Sequence, residues 1–232
     1  MKIEWNCFAL AAVLALGASM AAFGEDRSEV QDRLDASTAT VRELMRAADN
    51  GIPQDLIDKA KCVVVIPGLK KAGFIVGAKY GRGFASCRLP NKTGWSAPAA
   101  MIIEGGSFGF QIGVSDTDLV LLVMNSSGMR HLLTDKFTLG GEATVAAGPI
   151  GRQATAQTDA MLSTEMLSYS RSHGLFAGVS LDGATLRRDD DTDRELYGKG
   201  ASSHEILTGE VKTPALVGNF DRALNRESPR RD

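Results

Sequence analysis

Between Cys62 and Met124 the chain alternates apolar and polar positions in short runs, each broken by glycine, proline or aspartate. A period of two over a few residues fits a half-buried strand and not a helix. Cys62-Val63-Val64-Val65-Ile66 reads as a buried strand that stops at Pro67-Gly68. From Ala72 onward Phe74, Val76, Ala78 and Tyr80 alternate, and a second alternation runs through Phe84 toward Arg88. Trp95 to Ile103, Phe108 to Val114 and Thr117 to Met124 read as three more strands. So many short strands joined by tight turns commit this part of the chain to a sheet of antiparallel neighbours.

Helical periodicity frames the sheet. Ser28 and Gln31 have capping-box spacing, and Val30, Leu34, Val41, Leu44, Met45 and Ala48 then recur on one helical face until Asp49-Asn50-Gly51. Arg33, Arg42 and Arg46 lie off that stripe. Pro53 opens a short helix through about Lys61, and another is expected near Ser126 to Leu133. Strands resume around Glu142 to Ala147, Arg152 to Thr158, Glu165 to Ser170 and Leu175 to Leu181. Ser202 and Glu205 form a second capping box, and Pro214 opens a last helical segment through Leu224. The fold class read from this order is α+β: a single domain with an antiparallel multi-stranded β-sheet core, sandwich- or barrel-like, flanked by N- and C-terminal helices.

Residues 1–24 read as a signal peptide, with Lys2, an apolar run from Cys7 to Ala22, and small residues before Glu25. The domain is then 25–232, and the expected location is exported, periplasmic or secreted, with peripheral membrane association. Removing the leader removes Cys7 and leaves Cys62 and Cys87. In an exported chain these form a natural disulfide candidate, worth about 3–4 kcal/mol by loop closure. Two small buried hydrophobes are the other reading, and the sequence leaves both open.

The glycine motifs carry no chemistry. LGGEATVAAGPIG at 139–151 is followed by alternating small and polar residues, with neither the helix nor the Lys-Ser/Thr step of a phosphate loop. Gly105-Gly106-Ser107-Phe108-Gly109 matches a nucleophile elbow formally, which makes a serine hydrolase using Ser107 the catalytic alternative. FGFQIGV after it alternates like a strand, and in a chain with 25 glycines a chance match is cheap. His131, His173 and His204 are scattered, and His204-Glu205 lacks the second histidine of a zinc motif. Asp189 to Asp193 lacks the glycine and glutamate of a calcium loop and reads as an exposed, self-neutralising charged loop beside Arg187 and Arg188. No catalytic residue, metal or cofactor is expected.

Charge is distributed unevenly. Lys59, Lys61, Lys70, Lys71, Lys79, Arg82, Arg88 and Lys92 fall in one window that holds no Asp or Glu. This +8 segment sits in a chain of net charge −2, which leaves −10 on the remainder. The overall balance argues against nucleic acid, whereas the segment favours an anionic surface, each such residue near acidic lipid being worth about 1 kcal/mol. Neutralisation by acidic helices packed nearby is the alternative.

Several stretches in order resemble the SYLF-domain family: Lys61 to Pro67, KKAGFIVGAKYGRG at 70–83, GWSAPAA at 94–100, FGFQIGVSDTDLVLLVMN at 108–125, FTLGGEATVAAGPIGR at 137–152, and YSRSHGLFAGVSLDG at 169–183. The match runs from about residue 34 to 224. Eukaryotic members bind phosphoinositides and, in yeast, actin, so the resemblance implies a non-enzymatic lipid-binding module. Its implied contacts are Arg33, Arg42 and Arg46 on the amphipathic helix and Lys59, Lys61, Lys70, Lys71, Lys79 and Arg82 in the basic segment. The expected partner is an anionic phospholipid membrane surface. An envelope protein–protein module, actin-binding-like and docking an acidic partner, is the alternative.

Overall fold

The computed structural model describes residues 26–46, 51–73, 76–89, 94–108, 113–151, 163–172 and 175–228. The leader at 1–24, the strand expected at 152–158 and Lys92 lie outside them, as do the side chains of Met45, Arg46 and Ser107. Helices α1 (Arg27–Arg46) and α2 (Gln54–Lys59) precede strands β1 (Cys62–Gly73), β2 (Val76–Cys87), β3 (Ala99–Phe108) and β4 (Gly113–Val123). Then come α3 (Ser126–Leu132), β5 (Lys136–Thr138), β6 (Val145–Ala147), β7 (Met166–Ser172), β8 (Leu175–Gly178) and β9 (Thr185–Arg188). Helices α4 (Asp190–Tyr197) and α5 (Ser203–Thr208), a 3₁₀ turn at Ala215–Val217 and α6 (Gly218–Glu227) complete the order.

The nine strands among the described residues form one curled sheet, ordered β5-β9-β3-β2-β1-β4-β7-β6, with β8 also on β7. Every described pairing is antiparallel except β6 with β7. The fold is the α+β domain read from the sequence, built on one mixed sheet. Its two faces carry separate cores because strand side chains alternate. Val63, Val65, Phe84, Val120, Leu122 and Tyr169 meet α1, α2 and α6 on one face. Val64, Ile66, Met101, Ile103, Leu119 and Leu121 meet α3, α5 and the β5, β9 end on the other. Cys62 and Cys87, directly opposed in β1 and β2 with Cα atoms 4.0 Å apart, are joined by a disulfide.

Four local expectations are corrected. Pro67-Gly68 does not end β1; the strand bulges there and continues to Gly73, with register shifts against both neighbours. Proline supplies no N–H to a ladder, but in a bulge none is needed. Gly68 takes φ +60° and donates its N–H to Asp118 Oδ1 at 3.1 Å. Of the strand expected at Phe108 to Val114, the described ends belong to two longer strands, Phe108 to β3 and Gly113 and Val114 to β4, and residues 109–112 lie outside the described residues. Helix α1 starts one residue before the expected cap, so Asp26 O accepts from Glu29 and Val30 while Gln31 donates to Asp35. Finally, Asp189 to Asp193 is no exposed loop. Asp189 caps α4, and both it and Asp193 are buried, because Arg82, Thr192, Ala100 and Ser203 supply their hydrogen bonds. The Ser202–Glu205 capping box forms as expected.

Candidate interaction surface

The central strands outrun the layers around them. Strand β9 accompanies β3 only as far as Glu104, and β7 accompanies β4 only as far as Asp118. Beyond those rows β3, β2, β1 and β4 continue as a four-stranded ribbon of small residues, with Ala72 opposite Ala78 and Ala78 opposite Gly106. One row on the α1 side reads Glu104, Tyr80, Lys70, Asp116 across the four strands. Tyr80 is 46% exposed there, and Lys70 and Asp116 are exposed. Glu104 pairs with Arg187 at 3.0 Å. The adjacent row, on the opposite face, reads Gly105, Lys79, Lys71, Ser115.

Where the ribbon meets α1, charges are consumed internally. Arg82 donates to Asp189 Oδ2 at 2.6 Å and to Thr192 at 2.8 Å. Arg33 lies over the Phe84 ring at 5.8 Å, and burial, followed by the nearby Arg82, pushes its guanidinium down to about 10. Asp118 accepts from Gly68 N–H, from Thr40 at 3.2 Å and from Arg171 at 2.8 Å, while Arg171 also pairs with Glu43. This carboxylate therefore fastens α1 to the bulge of β1 and to β7.

The implied lipid contacts separate into groups. Lys70, Lys71 and Lys79 come together at the ribbon. Lys59 and Lys61 are exposed at the other end of β1, and Lys61 to Lys70 spans nine residues, roughly 30 Å of extended chain. Arg82 is held in its ion pair, Arg33 is partly buried, and Arg42 is exposed. The apolar stripe of α1 is not offered to a membrane in this state: Val30, Leu34, Val41 and Leu44 lie in the core. The solvent face of α1 instead carries Glu29, Asp32 and Asp35 beside Arg42. Among the described residues no helix is long and apolar enough to cross a membrane.

Sequence reasoning missed Tyr80, which it placed on the apolar phase of β2. The phase is right, since Phe84 on the same side is buried, but helix cover ends at Arg82, and no strand pattern reports where a helix stops. At Ser107 the backbone pairs with Gly77 within β3, so the strand-to-helix turn that a nucleophile elbow requires is not formed there.

The architecture defines a single α+β domain whose curled sheet carries helices on both faces and leaves the end of its central ribbon, at Tyr80 and Lys70, without helix cover. Residues 104–227 match the family described as Ysc84, Las17-binding protein actin regulator. The SH3 domain-containing YSC84-like protein 1 of Rattus norvegicus is 38% identical over 178 residues, covering 76% of this chain and 52% of that protein. Protein YSC84 of Saccharomyces cerevisiae is 38% identical over 180 residues, 76% of this chain and 38% of its own. The LAS seventeen-binding protein 3 of the same species is 35% identical over 180 residues, 76% of this chain and 39% of its own. The chain spans about half the length, or less, of these relatives. It belongs to the Ysc84 (SYLF-domain) family.

Proposed function

We propose that this chain is a non-enzymatic interaction module that docks an acidic protein partner on the projecting end of its sheet. The observation that carries the reading is Tyr80, 46% exposed beside Lys70 on a strip that the helices leave bare. A tyrosine combines large contact area with few rotors and is enriched at interface hot spots, while nearby lysines steer an anionic partner. The family description names Las17 binding and actin regulation, and one relative is named for Las17 binding. Both are protein-partner roles. Export with cleavage after Gly24 belongs to the same proposal, and N-terminal sequencing of the mature protein checks it.

The test places a benzophenone amino acid at position 80 of the full chain in living cells. A discrete protein adduct on irradiation, weakened by Lys70→Glu and Lys71→Glu, is the expected result. Absence of any adduct would overturn docking at this end. A lipid adduct would favour the second reading, peripheral contact with anionic phospholipid, which the gathering of Lys70, Lys71 and Tyr80 at one end also supports. That reading predicts salt-sensitive co-sedimentation with phosphatidylglycerol vesicles and none with phosphatidylcholine.

A further inference from the structure

The two edges of the sheet differ in charge. At one, β5 carries the exposed Lys136, the kind of residue that keeps an edge strand from pairing with its own copy. At the other, β6 and β8 follow each other along the side of β7 that β4 leaves open. Neither Val145–Ala147 nor Leu175–Gly178 contains a charged residue or a proline. Leu175 is 65% exposed. Ala177 is exposed on the same face, and Val179 continues this apolar stripe half-buried. Their neighbours on β7, Ser172 and Ser170, are neutral. Arg171, the one charge in β7 and β8, belongs to the opposite face, where Asp118 and Glu43 hold it.

Backbone direction gives this edge a register. Val179 donates its N–H to Ser168 O at 3.3 Å. Alternation therefore points the backbone groups of Ala177 and Leu175 toward β7 and those of Phe176 and Gly178 outward. Among the described residues no further strand pairs with β8. A second β8, running antiparallel about a twofold axis at Ala177, sets Phe176 of each copy against Gly178 of the other and lets both pairs exchange N–H···O=C bonds. Residues directly opposite share a face, so Ala177 then meets Ala177 and Leu175 meets Val179. The stripe fits its own copy with apolar contact throughout, and no like charges are brought together.

We propose that β8 is an interface between two copies of this chain, which join through Phe176 and Gly178 into one continuous sheet with Ala177 on the twofold axis. It uses another strand and the opposite face from Tyr80, and it stands independently of the docking reading. The test uses the full chain. Sedimentation equilibrium is expected to show a concentration-dependent exchange between monomer and dimer. Ala177→Lys, at an exposed position, places two ammonium groups across the axis and should leave a folded monomer alone. Opposed residues of a non-hydrogen-bonded pair have Cα atoms about 4.5 Å apart, within reach of a disulfide. Leu175 and its own copy are held about 14 Å apart by the same axis. In a Cys7→Ser background, with Cys62 and Cys87 already bonded, a mild oxidant should therefore cross-link Ala177→Cys roughly tenfold faster or more than Leu175→Cys. A monomer at every concentration, a dimer that Ala177→Lys leaves intact, or equal cross-linking of the two cysteine variants would overturn the interface.

Discussion

The carboxylate of Asp193 holds the backbone N–H of Ala100 at 2.7 Å on one oxygen and the hydroxyl of Ser203 at 2.7 Å on the other. One 1%-exposed side chain thereby ties α4 to the start of β3 and to the first turn of α5. Burial raises this carboxyl from 3.8 to about 7; the two hydrogen bonds favour ionisation, whereas Asp189 and Asp190 disfavour it.

The folded state therefore keeps a proton that the unfolded chain releases near its ordinary value. Stability falls as pH rises across that interval and stays lower above it, by at most about 4 kcal/mol. Asp193→Asn can accept from Ala100 and donate toward Ser203 without a charge. The variant is expected to match the parent near pH 4, to exceed it at pH 8, and to show a flatter thermal midpoint between. Parallel curves for the two proteins would show that Asp193 is ionised throughout.

Tyr169 and Gly148 give a second, opposed pair of expectations. Tyr169 is fully buried, and its hydroxyl has no hydrogen-bond partner among the described residues. Tyr169→Phe removes that unsatisfied group and should stabilise the fold by about 1 kcal/mol. Gly148 lies flat against the same ring, and a Cβ there would fall 2.0 Å from the ring's Cζ. Gly148→Ala should cost about 3 kcal/mol or more, since a fully packed ring has nowhere to move. Denaturant midpoints for the two variants should therefore shift in opposite directions.

This pair also answers why the 139–151 stretch is rich in glycine. The motif is close packing, and the sequence argues against a phosphate loop because no Lys-Ser/Thr step follows the last glycine. It could not show which ring Gly148 meets, 21 residues away along the chain. The same limit runs through the molecule. Strand alternation and capping boxes are local, so the α+β class, α3 and the Ser202–Glu205 cap were legible. The continuation of β1 past Pro67-Gly68 depends on Asp118, and the burial of Asp189 depends on Arg82, 107 positions earlier. At the candidate surface, clustering of Lys70, Lys71 and Lys79 was legible because β1 and β2 form a hairpin. Separation of Lys59 and Lys61 from them, and withdrawal of Arg82, follow from strand length and a distant partner.

The disulfide closes 25 residues between Cys62 and Cys87, both fully buried. On the chain-entropy account it contributes roughly 3.5 kcal/mol. Reduction of the folded protein should be slow, limited by opening, and the reduced chain should melt at a distinctly lower temperature. Cys62→Ala with Cys87→Ala should reproduce that lower midpoint and lose its response to reductant. A midpoint unchanged by the double substitution would mean that β1 and β2 pair as firmly without the bond.

Asp118 is where the docked state of α1 can be tested. Its carboxylate receives Gly68, Thr40 and Arg171, and Arg171 then reaches Glu43 on α1. Removing it with Asp118→Ala strands the Gly68 N–H and weakens the hold on both Thr40 and Arg171, at a cost of about 2–4 kcal/mol. Asp118→Asn keeps one acceptor, for Gly68, but puts an amide NH2 that cannot accept where Oδ2 meets Thr40 and Arg171, so a smaller loss than with Ala is expected. Amide exchange should quicken across residues 34–44 in the order wild type, Asn, Ala, while the β1–β2 ladder at Val63 and Val64 stays protected. If freeing α1 exposes a membrane-active stripe, Asp118→Ala should also sediment with phosphatidylglycerol vesicles more than the parent does. Faster exchange without added vesicle binding would mean that Leu34, Val41 and Leu44 serve the core alone. Unchanged exchange would mean that those side chains hold the helix without the carboxylate.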